Sequence, residues 1–143
     1  MRLLRSLLYY ALLLIAAVPV GIGCLLTWPV TSAKWRYDVF ERPYMRFAVQ
    51  CAQVICGLEF EVRGLENVPV AGERVVIFCK HQSAWETLFL PAYIPGYIAY
   101  VYKESLHWIP FFGWAAKSMQ MIPIDRKNGR LAFEQIMHGG ARL

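Results

Sequence analysis

A histidine and a carboxylate lie close together near the middle of the chain. His81 and Glu86 are separated by four residues, and an imidazole held by a carboxylate is a common general base. Within one helix the two side chains would point about 140° apart, because each residue turns the chain by roughly 100°. We therefore predict that His81 lies in a turn and that a helix beginning near Ser83 lets Glu86 reach back. Such a pair suits the deprotonation of an alcohol.

The same residues also match patterns with other meanings. Ser83 and Glu86 form a Ser-x-x-Glu capping box, which could do no more than start a helix. A serine hydrolase using Ser83 would need Gly-x-Ser-x-Gly around the nucleophile, and the sequence lacks it. A metallohydrolase using His81, Glu86 and His107 lacks compact zinc-ligand spacing, so we predict no metal site. The capping box therefore stays as the main alternative to a catalytic pair.

An apolar run directly before this segment predicts the element that positions His81. Residues 75–79 are short and β-branched, which is typical of a strand buried on both faces. His81 would then emerge at the carboxyl end of the strand, where ligands gather in open α/β sheets. The alternating residues 58–62 predict a half-exposed strand, with Pro69 and Gly72 in the loop between the two.

Later elements continue the same alternation. Strands are predicted at residues 97–102 and 121–124, with a helix beginning near Pro110 to Phe112 between them and a last helix at residues 131–137. Strands alternating with short helices imply an α/β layer. We therefore predict an α/β fold class for this part of the chain.

Three segments in this region, in order, resemble motifs of the glycerolipid acyltransferases, a family that includes the 1-acyl-sn-glycerol-3-phosphate acyltransferases. The family's motifs are His and Asp separated by four residues, then Lys-x-x-Leu with Pro-x-x-Gly, then an apolar residue with Asp-Arg. The matching residues are His81, Glu86, Lys103, Leu106, Pro110, Gly113, Asp125 and Arg126. The one departure is Glu86, which keeps the charge of the usual Asp but adds a methylene group.

The resemblance implies a fold, an activity and site residues. The fold would be a glycerolphosphate-acyltransferase-like α/β domain. The activity would be transfer of a fatty acyl group from acyl-CoA or acyl-carrier protein to a lysolipid hydroxyl, above all that of 1-acyl-sn-glycerol 3-phosphate, with no resident cofactor. His81 would be the catalytic base and Glu86 would orient it, while Arg126, and after it Lys103, would bind the phosphate.

A later family block, Phe-Pro-Glu-Gly-Thr-Arg, is associated with the glycerol phosphate and does not occur before Leu143. We therefore expect a C-terminally truncated protein with an incomplete α/β domain. Two alternatives follow from this expectation. The chain could be a catalytically silent, membrane-bound fragment, or its acceptor could be another lysolipid, since residues that select the headgroup would lie beyond Leu143.

The N-terminal residues predict a membrane anchor. No charged residue occurs between Arg5 and Lys34, and the apolar run of residues 7–28 exceeds the roughly 20 residues that cross a bilayer. A cleaved signal peptide is the competing interpretation, although its apolar region is usually only about 7–15 residues long. With 57% hydrophobic residues and a net charge of +5, we predict an anchoring segment at 1–57 and an acyltransferase domain at 58–143.

A second helical arm follows the first. Its predicted apolar stripe consists of Phe40, Tyr44, Phe47, Cys51, Val54 and Leu58. The stripe would face lipid or pack on the first helix, while Arg36, Arg42 and Arg46 meet anionic headgroups; an ordinary core-facing helix is the alternative. A hairpin or in-plane arrangement would keep the catalytic domain on the cytoplasmic face of an inner or plasma membrane, where the acyl donors are. The dispersed arginines exclude a nucleic-acid partner.

Overall fold

The computed structural model describes residues 2–68, 70 and 73–143; Pro69 and Gly72, predicted to mark a loop, lie outside this part. The first helix, α1 (Arg2–Thr27), has 26 residues. At about 1.5 Å per residue it exceeds the roughly 30 Å apolar layer of a bilayer. Among the described residues it is the one helix long and apolar enough to cross a membrane. The predicted N-terminal apolar helix is therefore present.

A second helical arm lies antiparallel to α1. The arm consists of α2 (Ala33–Arg36), a π-helical turn (Tyr37–Glu41) and α3 (Arg42–Cys56). The Tyr44 hydroxyl donates to the Leu13 carbonyl at 3.2 Å, while Gly23 lies against Phe40, whose ring would be 2.6 Å from an added Cβ. Since these contacts run in opposite directions along the two helices, the arms form the predicted hairpin.

The buried face of α3 differs from the predicted stripe. The buried residues are Met45, Ala48, Val49 and Ala52. Met45 and Val49 pack with Ala92 of α4 (Trp85–Tyr93), whereas Val54, which was assigned to the stripe, is 85% exposed. Phe40 and Tyr44 of the predicted stripe pack on α1, and the buried face of α3 packs between α1 and α4.

The three arginines of the second arm, which were predicted to meet anionic headgroups, donate hydrogen bonds to backbone carbonyls. The carbonyl acceptors are Thr31 and Ser118 for Arg36, Ile94 at 2.9 Å and Gly96 at 2.5 Å for Arg42, and Ala92 at 2.9 Å for Arg46. The last carbonyls of a helix have no partner within that helix. Arg42 and Arg46 supply donors to the end of α4 and the turn after it, and Arg36 supplies one to the end of α5, so the arginines join the hairpin to the C-terminal half of the chain.

The C-terminal half contains one parallel strand pair. The elements after α4 are β1 (Val101–Lys103), a 3₁₀ turn (Glu104–Trp108), α5 (Phe112–Ser118), β2 (Ile122–Ile124) and α6 (Gly129–Gly140). In the pair, Val101 lies opposite Ile122 and Lys103 opposite Ile124. The order of these elements is β1, α5, β2, and each strand has only three residues, fewer than predicted.

Two predicted strands are not observed. Residues 58–62 and 75–79 have no regular secondary structure, and Phe78 is 94% exposed. A strand buried on both faces needs a paired neighbour and a layer on each side, and the described part of the chain places neither beside residues 75–79. The described part of the chain is thus mostly helical, with one two-stranded sheet, and the predicted α/β fold class is not confirmed.

The main core is built from both halves of the chain. Its buried residues are Cys24, Tyr37, Tyr102, Ala115, Ala116, Met119 and Met121. Cys24 comes from α1 and Tyr37 from the π-helical turn. The other five residues lie in β1, in α5 or in the segment between α5 and β2. The hairpin and the strand pair thus bury one continuous apolar cluster, which fixes the position of α5 relative to α1.

Candidate active site

His81 and Glu86 meet at the beginning of α4. His81 lies outside the helix, Ala84 is the residue before its first turn, and Glu86 is the second helical residue. Oε1 of Glu86 is hydrogen-bonded to Nδ1 of His81. The geometry is the predicted one, since the turn before Trp85 removes the angular separation that a continuous helix would impose.

Ser83 supports this turn without forming the capping box. Its Oγ accepts from the Trp85 backbone amide at 3.1 Å and donates to Oε2 of Glu86 at 3.4 Å. Ala84, and not Ser83, occupies the N-cap position, and no side chain caps the helix there. Of the two interpretations of these residues, the described geometry therefore favours the His81–Glu86 pair.

The environment of the pair keeps the carboxylate charged. A hydrogen bond from its own backbone amide, together with the His81 imidazole, lowers the pKa of Glu86. The side chain of Glu86 is 15% exposed and that of His81 is 66% exposed. Because the carboxylate accepts from Nδ1–H, the lone pair of the exposed imidazole resides on Nε2 and can take a proton.

Lys103 and Arg126 lie at the same edge of the strand pair. Lys103 is the last residue of β1 and pairs with Ile124, the last residue of β2, and Arg126 follows two residues later. Parallel strands present their carboxyl ends at one edge, so the two cations are neighbours by topology. Asp125 forms the loop here, since its Oδ1 accepts from the Lys127 amide at 2.9 Å.

One cavity of about 1900 Å³ brings the predicted residues together. Its wall includes His81, Glu86, Lys103 and Arg126. These four residues come from three separate segments, and the same wall also includes residues of α1, the second arm and α6. A cavity of this size accommodates a ligand of several hundred daltons.

Glu41 also lines this cavity, and the sequence analysis did not identify it. It lies in the π-helical turn, a geometry that recurs at functional sites. Burial raises the pKa of Glu41 to about 7. No local motif marks this glutamate, because its position depends on the packing of the second arm against the strand pair.

Tyr102 and His107 fix the turn that follows Lys103. The Tyr102 hydroxyl and Nδ1 of His107 are hydrogen-bonded at 2.8 Å, and an added Cβ on Gly113 would lie 2.0 Å from the His107 carbonyl oxygen. The described ring contacts of His107 are with Tyr102 and Trp108. Within the described residues, no three His, Cys, Asp or Glu side chains converge as metal ligands.

Comparison with known proteins places these residues in a family. The acyltransferase family model matches residues 59–138, which is more than half of the chain and includes His81, Glu86, Lys103 and Arg126. No solved structure matches the chain.

Several curated proteins are similar to the chain. A 1-acyl-sn-glycerol-3-phosphate acyltransferase of Pseudomonas aeruginosa is 37% identical over 96% of this chain and 52% of its own length. A protein of the same name from Helicobacter pylori is 32% identical over 58% of this chain and 33% of its own length. Lysocardiolipin acyltransferase 1 of Gallus gallus is 29% identical over 73% of this chain and 29% of its own length. The chain thus spans at most about half the length of these relatives, and by its family match it belongs to the acyltransferases.

Proposed function

We propose that this chain carries the site of an acyltransferase that moves a fatty acyl group from acyl-CoA or acyl-carrier protein to the free hydroxyl of 1-acyl-sn-glycerol 3-phosphate, forming phosphatidic acid. The observation that carries the proposal is the His81–Glu86 pair in a cavity that also contains Lys103 and Arg126. The name of the Pseudomonas aeruginosa relative supports this acceptor, and that of the Gallus gallus relative supports another lysolipid as the alternative.

In the proposed mechanism, Nε2 of His81 takes the proton of the acceptor hydroxyl. The oxygen attacks the thioester carbonyl carbon, and collapse of the tetrahedral intermediate breaks the carbon–sulfur bond. The thiolate leaves with the proton returned by the imidazolium. Glu86 holds the imidazole through Nδ1 and stabilises its positive charge. No acyl-enzyme is needed, because a thiolate is a good leaving group that the acceptor displaces directly.

Phosphate recognition is assigned to the edge of the strand pair. The planar guanidinium of Arg126 is suited to two parallel hydrogen bonds with phosphate oxygens. Lys103 contributes a second positive charge on the neighbouring strand. The reaction then needs no resident cofactor or metal, and the acyl thioester is its co-substrate.

The proposal extends to organisation and location. Residues 1–57 would anchor the protein, and residues 58–143 would form the acyltransferase part, as an α/β domain. The donors are cytoplasmic, so the site would face the cytoplasm from an inner or plasma membrane. The hairpin of α1 and the second arm supports this arrangement, because a hairpin returns the chain to the side of the membrane from which it entered.

Thiol release tests the function. The 143-residue chain in detergent or lipid is incubated with acyl-CoA, with and without 1-acyl-sn-glycerol 3-phosphate, beside His81→Ala. Release that depends on the acceptor and on His81 would support the proposal. Absence of release from a folded, membrane-bound preparation would contradict it for this chain and favour the catalytically silent alternative.

A further inference from the structure

A short loop between β2 and α6 carries Arg126. Its own bonds are local: Oδ1 of Asp125 accepts from the Lys127 amide at 2.9 Å, and the Asn128 amide donates to the Asp125 carbonyl at 3.3 Å. Asn128 then caps α6, since its Oδ1 accepts from the Leu131 amide at 3.1 Å. These bonds join residues close together in the chain, so they fix the shape of the loop. They do not by themselves fix where the loop lies relative to β1.

Gln135 binds this loop from α6. Its Oε1 accepts from the Asp125 backbone amide at 2.9 Å, and this amide belongs to the residue directly before Arg126. Gln135 is half-buried, whereas Arg126 is exposed. Among the hydrogen bonds of the described residues, this is the one that a side chain outside the loop makes to residues 125–128. Gln135 therefore holds the loop from a separate element.

The helix that carries Gln135 is itself fixed on β2. A Cβ added to Gly139 would lie 2.8 Å from Cγ1 of Ile122, so the backbone of α6 lies against the first residue of the strand. Gln135 and Gly139 are four positions apart and share one face of the helix. This face follows β2 from Ile122 to Asp125, the residue after the strand. Because β2 pairs with β1, whose last residue is Lys103, Gln135 connects the loop to the frame that also holds Lys103.

We propose that Gln135 is a positioning residue for Arg126. By holding the Asp125 amide it keeps the loop beside the end of β1, so that the guanidinium of Arg126 and the ammonium of Lys103 reach one phosphate group together. The proposal rests on the proposed function, which assigns these two cations to the phosphate of the acceptor. In this role Gln135 acts through the loop and does not touch the acceptor.

Preorganisation is the physical basis of this role. A freely moving loop must be ordered when its ligand binds, and the entropy lost in that ordering reduces the affinity. Two parallel hydrogen bonds from a guanidinium to a phosphate also need a fixed geometry. An uncharged acceptor gains nothing from Arg126 and is insensitive to the mobility of the loop. Gln135 should therefore affect the preference for a phosphate-bearing ligand and not ligand binding in general.

Amide exchange tests the contact without any catalysis. NMR of the full 143-residue chain in detergent micelles is compared with that of Gln135→Met, which keeps the length and helix propensity of the side chain but removes the acceptor oxygen. The Asp125 amide should exchange with deuterium at least about tenfold faster, because its hydrogen bond is lost. Phe133→Met, at a 64% exposed position of the same helix, is the matched control and should leave this rate unchanged. An unchanged rate in Gln135→Met would overturn the proposal.

Equilibrium binding tests the consequence. Gln135→Met should raise Kd for 1-acyl-sn-glycerol 3-phosphate by about tenfold and change Kd for uncharged 1-acylglycerol little. In an Arg126→Ala background the same substitution should have no further effect, because a residue that acts only through Arg126 then has nothing to position. Equal losses for both ligands, an added loss in that background, or no binding by the unmodified chain would overturn the proposal. If the expected binding differences are found but the unmodified chain releases no thiol from acyl-CoA, the positioning role stands and the proposed reaction is refuted.

Discussion

The imidazole of His81 and the carboxylate of Glu86 are joined across the first turn of α4, with unequal exposure. The histidine side chain is 66% exposed and the glutamate 15%. The helix fixes the carboxylate at its N-terminus, where negative charge is favoured, while the imidazole remains open to the cavity. A rigid carboxylate thus orients an accessible base.

This arrangement predicts different effects for two substitutions of Glu86. Glu86→Gln should lower kcat by about 10²-fold or more, because the amide cannot stabilise the imidazolium. Glu86→Asp should keep a substantial part of the activity, since the charge remains and only the reach shortens. Steady-state kinetics with far-UV circular dichroism as a folding control would measure both. Equal activities of the Gln variant and the unmodified chain would contradict the role of the carboxylate.

Removal of the Arg126 guanidinium should weaken the binding of phosphate-bearing acceptors. Arg126→Ala should raise KM for 1-acyl-sn-glycerol 3-phosphate by about 10- to 100-fold, because a charge-assisted hydrogen bond is worth about 1.5–3 kcal/mol. Lys103→Ala should have a smaller effect. An uncharged 1-acylglycerol should show little change in KM.

The control for Arg126 is Arg130→Ala. Arg130 lies on the exposed side of α6, where its Nε is 3.3 Å from Glu134. An exposed ion pair of this kind contributes little to stability. If loss of Arg130 raised KM as much as loss of Arg126, general electrostatic attraction and not a specific phosphate contact would explain the effect.

Gly113 should tolerate no side chain. Its added Cβ would lie 2.0 Å from the His107 carbonyl oxygen, so Gly113→Ala would displace the turn after Lys103. Overpacking of this kind typically costs about 1–3 kcal/mol. Thermal unfolding in detergent should show a lower midpoint. Gly129→Ala is the control, because nothing lies within 4 Å of its added Cβ; equal midpoints for both variants would refute this packing.

Stability should depend on pH through Glu41. Burial raises the pKa of this carboxyl from 4.5 to about 7. Between these values the native state keeps a proton that the unfolded state has lost, so the free energy of unfolding should fall as pH rises and level off above about pH 7. The fall is at most about 3 kcal/mol, at about 1.4 kcal/mol per pKa unit. Urea unfolding should show this slope, and Glu41→Gln should reduce it; an unchanged slope would disprove the assignment.

The His81–Glu86 pair was predictable because its geometry is local. On one continuous helix the two side chains would point about 140° apart, so a turn between them was required. The structure contains this turn. The hydropathy of residues 7–28 likewise predicted α1, since a long apolar run leaves little choice of structure in a membrane. The order of strand, helix and strand around α5 followed from the spacing of apolar residues and from the positions of proline and glycine between the elements.

The errors concern contacts between distant segments. Residues 75–79 have the composition of a buried strand, but a strand forms only when a neighbour supplies its hydrogen bonds. The carbonyls at the end of α4 that accept from Arg42 and Arg46 could likewise not be predicted from the second arm alone. The sequence of residues 75–79, or of the second arm, does not show which distant residues will lie beside it.

The bonds from the second arm to α4 couple the anchor to the catalytic pair mechanically. Arg42 and Arg46 bind the carboxyl end of the helix whose amino end carries Glu86. One nine-residue helix therefore holds the carboxylate in its first turn and the second arm at its last turn. The position of Glu86 thus depends on residues forty or more positions earlier in the chain.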